Sequence, residues 1–335
     1  MRKFLLGVLL LCMTMVVVAC GGEDNTTASD SGDGETFVLQ AGHSLAEDHP
    51  FELAMQELAK NVEEKSDGRL KIETFPLSQL GAERELIEGL TLGSVDLVVS
   101  TSGPIINFVS DFGVLDLPFL FNDRDAAVKV LEGDIGKELF TQLEDVGIIP
   151  LSWGENGFRH ITNSVRPIQT PDDLKGLKFR TQENKVFISA FEKLGASASP
   201  MAWTEALTAL QSGVVDGQEN PILVIDSYKL YDANQKYMTL TGHAYSSAVF
   251  MLSESTYNKL PEDLREILME EGKKIGAYER QLVIDNETEA LARLKENGIE
   301  IIEEVNVEEF RSKIEELYNE TSNKELLDRI LEQQK

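Results

Sequence analysis

The chain has 335 residues, 42% of them hydrophobic, only two cysteines, and a formal net charge of −27 at pH 7. That charge argues against nucleic acid and against peripheral contact with anionic lipid, and two cysteines are too few for a disulfide framework or a zinc site. An acidic exterior also repels anions, so an anion site must supply its own local positive charge, and capture should speed up as salt is added.

Arg2 and Lys3 precede an apolar stretch from Phe4 to Ala19, and Val17-Val18-Ala19-Cys20 has the small residues of a cleavage site with cysteine just after the cut. This resembles a lipoprotein signal over residues 1–19, with Cys20 lipidated; the apolar run is short for a span of about 20 residues. With Cys12 leaving in the signal and Cys20 taking the lipid, no thiol remains for catalysis. Residues 20–35 are small and polar and are expected to form a flexible tether. The remaining length, about 300 residues, suffices for two packed domains.

Strand and helix signals then alternate. Thr36 to Ala41 reads as a strand. Pro50 to Lys65 reads as a helix, with Phe51, Met55, Leu58 and Val62 on one face. Leu70, Ile72 and Thr74 alternate with charged residues as in a strand. Glu83 to Leu92 is expected to be a helix, and Val95 to Ser100 a buried strand. This order predicts a largely parallel sheet covered by helices. Asp116 to Phe121 is apolar but interrupted by Pro118, which suits a core-packed loop. Helices near Asp123 to Leu131 and Asp134 to Val146 lead to a strand over Ile148 to Trp153.

A second α/β unit is expected from Gly157. The glycines of Gly154-Glu155-Asn156-Gly157-Phe158-Arg159 suggest a tight crossover into it. Leu177 to Arg180 reads as a short strand after a helical turn at Pro171, Asn184 to Leu194 and Trp203 to Gln211 as helices, and Val214-Val215 as a short strand. Asn220 before Pro221 suits a helix N-cap. Tyr245 to Leu252 reads as a strand returning to the first unit. Pro261 to Asn297 has no internal proline and is expected to be one long bent helix, with breaks at Gly272 or Gly276 as the alternative. The tail after Val305 is acidic and helical.

Several segments bear on chemistry. Arg180 ends an alternating strand, where open α/β sheets bind ligands, and a guanidinium fork matches a carboxylate. Taken alone, it reads more readily as a surface arginine paired with one of the many acids. Arg159 faces the expected seam between the units, with an ion pair to Glu155 or a nearby acid as the plain alternative. Asn220 suits either capping or hydrogen bonds to a ligand, and Trp203 either a pocket floor or core. His43 and His49 flank Glu47 and Asp48 without the spacing of a zinc site. No catalytic elbow, zinc-protease or phosphate-loop motif is present.

Gln79-Leu80-Gly81, Asp116 to Phe121, Asn156 to Arg159, Asp172 to Arg180, Pro200-Met201-Ala202-Trp203 and Val214 to Pro221 closely resemble the solute-binding proteins of TRAP (tripartite ATP-independent periplasmic) transporters. The resemblance spans nearly everything after Thr36. It implies an α/β fold of the two-domain type II periplasmic-binding-protein kind, with an interdomain cleft, hinge strands and a long domain-spanning helix. Domain I would comprise 36–156 plus about 246–285, and domain II 157–245 plus about 286–335. It implies no catalysis, no cofactor and no metal, and a permease with large and small membrane subunits as partner. Arg180 matches the arginine that grips the substrate carboxylate, Arg159 a second such arginine, Asn220 a polar contact and Trp203 a pocket aromatic. His43 falls near a polar pocket position. Thr101 stands where sialic-acid binders are acidic, which argues against that ligand; Thr101, Gln182 and Asn220 suit ligand hydroxyls. Both C4-dicarboxylates and sugar acids such as uronates fit, two arginines suiting the former. The lipoprotein form suits an anchored protein on the outer face of a Gram-positive cell. The rival reading is a secreted lipoprotein hydrolase acting on an acidic substrate.

Overall fold

The computed structural model describes residues 35–334; the expected signal, Cys20 and nearly all of the tether lie outside them. Among the described residues one mixed sheet organises the molecule. Its strands are β1 (Phe37–Gly42), β2 (Leu70–Phe75), β3 (Leu97–Thr101), β4 (Ile148–Asn163), β5 (Lys178–Thr181), β6 (Ser197–Pro200), β7 (Gly217–Pro221), β8 (Tyr237–Ser253) and β9 (Glu300–Ile302). Their order is β2-β1-β3-β8-β4-β7-β5-β6, with β9 beside β8. Both ends of the sheet are parallel, as the alternation of strand and helix requires. The centre is antiparallel: β8 pairs with β3 and β4, and β4 pairs with β7. The expectation of a largely parallel sheet thus holds for the two ends and fails in the middle.

That middle is where the sequence was hardest to read. The short strand expected at Ile148 to Trp153 is sixteen residues long, and the one expected at Tyr245 to Leu252 is seventeen. No crossover turn interrupts β4 at Gly154 or Gly157. The ladder with β8 continues through register shifts at Pro150/Ser152, Glu155/Gly157 and Arg159/Ile161, and Gly157 takes φ +108° at the second of them. A β-bulge absorbs the extra residue and bends the strand, so glycine here marks a bend within a strand. The pair β4–β8 therefore runs unbroken from one α/β half to the other.

The helices follow their patterns closely. In Pro50–Lys65 the side chains Phe51, Met55, Leu58 and Val62 are all buried, and His49 caps the helix by accepting the Phe51 N–H. The region from Pro261 onward is one unbroken helix, Glu262–Glu296, of 35 residues. Gly272 and Gly276 do not break it. They let it lie on β4: a Cβ on Gly276 would stand 2.0 Å from the Trp153 carbonyl oxygen, and one on Gly272 3.0 Å from Leu151. Asp116 to Phe121 is a buried loop, as Pro118 predicted, with Phe119 held at φ +60° by donating its N–H to the His243 carbonyl at 2.7 Å.

Candidate functional site

The carboxyl ends of β3 and β5, together with the middle of β4 and β7, converge on the seam between the two ends of the sheet. Arg180, the third residue of β5, is 2% exposed. Its Nε and Nη2 donate to the Met201 carbonyl at 3.1 and 2.8 Å, and its guanidinium lies over the Trp203 ring, 5.3 Å from the centroid. Among the described residues no carboxylate forms an ion pair with it. Burial pulls its pKa down to about 10, opposed by Glu219 and reinforced by Arg159. It remains a cation, enclosed with no carboxylate bonded to it among the described residues.

Arg159 is different. It is fully buried and forked onto Glu219: Nε meets Oε2, and Nη2 donates to Oε1 at 2.9 Å and to the Glu219 carbonyl at 2.8 Å. Nη1 makes only a long bond, 3.3 Å, to the Ser246 hydroxyl. Burial works against ionisation of Glu219, but Arg159 and the His243 ring outweigh it and hold the carboxyl down to about 2. The acid that Arg159 selects is therefore Glu219; Glu155 pairs instead with Arg124, at 2.7 Å.

Asn220 is no N-cap. It lies within β7, and Pro221 takes the cap position of the helix Ile222–Ser227. The strand expected at Val214-Val215 begins at Gly217, after a bend, which carries Asn220 into the ladder opposite His160. Its Oδ1 accepts from Arg159 Nη2 at 3.1 Å and its Nδ2 donates to Gln218. Trp203 opens the helix Trp203–Gln211, is 6% exposed, and packs edge-on against Tyr228, its Nε1 finding no partner among the described residues. Gln182 donates to the Thr101 hydroxyl at 3.3 Å. His43 is less available than expected. It is fully buried, its Nε2 is 2.8 Å from Glu52, and its Nδ1 accepts the Leu45 N–H. With both ring nitrogens engaged, it offers a ligand no free nitrogen.

Two further acids lie near the seam. Glu83, the first residue of its helix, lines the same cavity as Arg180, Gln182, Met201 and Trp203, and that cavity measures about 20 Å³. Burial raises the Glu83 carboxyl, while Arg180 and Arg159 pull it back. Asp116 is 1% exposed; burial raises its carboxyl to about 6, although Ser102 and Asn184 both bond to it. Both acids sit in helix or loop contexts that look like many others among the chain's 58 acidic residues, and only the fold brings them to the seam. A larger cavity, about 410 Å³, lies elsewhere between Phe119 and the C-terminal helices and contains none of these side chains.

The model of the bacterial extracellular solute-binding protein family 7 matches residues 41–325. A solute-binding protein of Verminephrobacter eiseniae is 42% identical over 273 residues, covering 82% of this chain and 81% of that protein. Among solved structures, a TRAP periplasmic solute-binding protein from Polaromonas sp. JS666 bound to D-erythronate superposes with a TM-score of 0.85 at 41% identity, covering 90% of this chain and 98% of that one. The sugar acid binding protein of Advenella mimigardefordensis in complex with galactonate gives a TM-score of 0.87 at 36% identity, with 90% and 99% covered.

Proposed function

The chain belongs to the bacterial extracellular solute-binding protein family 7, and from that premise we propose that it carries a hydroxylated monocarboxylate, of the sugar-acid class, to its permease. It is an extracytoplasmic binding protein of the TRAP type, which binds organic-acid anions and works with membrane permease subunits; it is not an enzyme, and the hydrolase reading has no support.

One observation carries the ligand class: of the two arginines at the seam, only Arg180 lacks an internal carboxylate. Arg159 is already neutralised by Glu219. The site thus offers one cation to which no carboxylate is directly bonded, and so favours one ligand carboxylate, docked on Arg180. Two arginines counted from sequence suggested a dicarboxylate; the pairing with Glu219 removes that argument. Glu83 beside Arg180 would repel a second carboxylate and accept hydrogen bonds from hydroxyls. Thr101, Gln182 and Asn220 add neutral polar groups, with Trp203 packed beneath the guanidinium and the free side of Arg159 as a further donor.

A cavity of about 20 Å³ has room for little more than one water, so a sugar acid enters only if the two halves part. The bulges of β4 at Glu155/Gly157 make natural hinge points and support domain limits of 36–156 plus about 246–285 and 157–245 plus about 286–335. Closure then buries the carboxylate–Arg180 pair away from water, where the charge-assisted fork is strongest. The lipoprotein motif supports anchorage through Cys20 to the outer face of a Gram-positive cell membrane.

Calorimetry with galactonate, glucuronate and succinate tests the reading. The expected result is binding of a sugar acid in preference to succinate, with Glu83→Gln narrowing the gap. Tighter succinate binding by the unaltered protein, unchanged in Glu83→Gln, would overturn the ligand class.

A further inference from the structure

We propose that Asp116 is a positioning residue that latches the cleft shut, holding Asn184 across the seam without touching ligand. The inference rests on the opening and closing of the cleft just described. Asp116 caps the C-terminal end of the short helix Phe112–Leu115, and its two carboxylate oxygens divide their bonds between the halves. Oδ1 accepts from the Ser102 hydroxyl at 2.6 Å on its own side, and Oδ2 accepts from Asn184 Nδ2 at 2.6 Å on the other. Asn184 follows β5 by three residues and is itself fixed: its Oδ1 caps the helix Lys185–Lys193 by accepting the Val186 N–H at 2.8 Å, so its amide cannot turn over without losing the cap. The NH₂ group is thereby aimed at Asp116.

The contact does not stand alone. Asn184 Nδ2 also reaches the Gly103 carbonyl at 3.3 Å, Gln182 bonds to Thr101, and Asn107 Nδ2 donates to the Glu183 carbonyl at 3.1 Å. Residues 101–107 and 116 thus meet residues 182–184 along one short line, two to four positions beyond Arg180. Gly103 has no room for more, since a Cβ there would stand 2.3 Å from Gln182 Oε1. Parting the halves must break this line, and its strongest member is the bond in which a buried carboxylate is the acceptor. A hydrogen bond made only in the closed state slows release and leaves capture unchanged.

The test uses Asn184→Ser, which keeps an oxygen for the helix cap and removes the amide that reaches Asp116. Stopped-flow kinetics with galactonate should show dissociation about tenfold faster, with association unchanged, and a ligand-free melting temperature equal to that of the unaltered protein. Asn107→Ala, which removes the flanking contact at an exposed position, should speed release about two- to threefold. If Asn184→Ser fails to fold, the Asn107→Ala rate decides. Release at the unaltered rate from a folded Asn184→Ser, or slower association accounting for the whole loss, overturns the latch. Failure of the unaltered protein to bind any sugar acid or dicarboxylate would instead overturn the functional reading.

Discussion

Arg159 and Glu219, sixty residues apart in sequence, form a doubly hydrogen-bonded ion pair from which solvent is wholly excluded. The pair neutralises an arginine that, read from sequence alone, had no definite internal carboxylate. Removing one partner of such a pair leaves the other charged and unsolvated. Glu219→Ala should therefore cost roughly 3–5 kcal/mol of stability, measured by urea unfolding of the ligand-free protein. A loss below about 1 kcal/mol, the size expected of an exposed pair, would contradict this account.

Arg180 has the opposite balance, a buried cation held by one carbonyl and one aromatic ring. Arg180→Ala should lose roughly 2–5 kcal/mol of binding free energy, part of it from a ligand carboxylate left buried and unpaired. Arg180→Lys should restore little, because an ammonium cannot reproduce the planar fork. Isothermal calorimetry with galactonate reads both; affinity equal to the unaltered protein in either variant refutes the clamp.

Acid should destabilise the fold through His49. Burial holds this imidazole neutral down to about pH 3, with His43 adding to the effect and Asn156 opposing it. The unfolded chain takes up a proton near the ordinary 6.5, so stability falls as pH drops from 6.5 toward 3, by up to about 1.4 kcal/mol per pH unit for this group. His49→Asn keeps the helix cap and removes the titration. Its melting temperature should fall less steeply between pH 6.5 and 4; parallel curves would rule His49 out as a source of the slope.

Alkali should act through Glu279, with the opposite sign. This side chain is fully buried on the long helix; its Oε2 accepts the Glu155 N–H at 2.8 Å, and its Oε1 has no partner among the described residues. Burial, helped by the nearby Glu155 charge and opposed by the Glu155 N–H bond, raises its carboxyl well above the ordinary range. The unfolded chain loses this proton near pH 4.5 and the folded chain only at higher pH, so stability is lost as pH rises above 4.5, on the order of 1 kcal/mol per unit, until the folded carboxyl also ionises. Glu279→Gln should gain on the unaltered protein as pH rises from 5 in thermal melts. A difference that does not grow with pH would show that Glu279 does not titrate in this way.

Packing of the long helix on β4 depends on glycine at two turns. Gly276→Ala puts a methyl group 2.0 Å from the Trp153 carbonyl oxygen, a backbone atom that has nowhere to go. A loss of about 1–3 kcal/mol or more is expected, and a smaller one for Gly272→Ala, whose nearest neighbours at 3.0–3.1 Å are the movable atoms of Leu151. Chemical denaturation of the two variants compares them directly; the reverse order would mean that the helix shifts as a body.

Local physics made the helices legible from sequence, because a face such as Phe51, Met55, Leu58 and Val62 is written at a fixed spacing and needs no distant partner to be recognised. The core-packed loop at Asp116 to Phe121 and the unbroken 35-residue helix were legible for the same reason, Pro118 being present in one and proline absent from the other. The residue types of the site, Arg180 with Trp203 above all, were also visible as candidates, since only a guanidinium supplies a planar fork and the charged surroundings make an inward cation conspicuous.

Which partner each of those groups meets was decided by tertiary contacts. The bulges that carry β4 through Gly157, the shift of β7 that takes Asn220 off a helix cap, and the engagement of both His43 nitrogens all follow from neighbours distant in the chain. So does the choice of Glu219 for Arg159, of Glu83 for the cavity and of Asn184 for Asp116. With 58 acidic residues in the chain, proximity along the sequence cannot say which carboxylate meets which cation. Composition fixes how many charges must be satisfied; the packing of β4, β7 and β8 decides which are satisfied internally, and leaves Arg180 buried at the seam with no ion pair among the described residues.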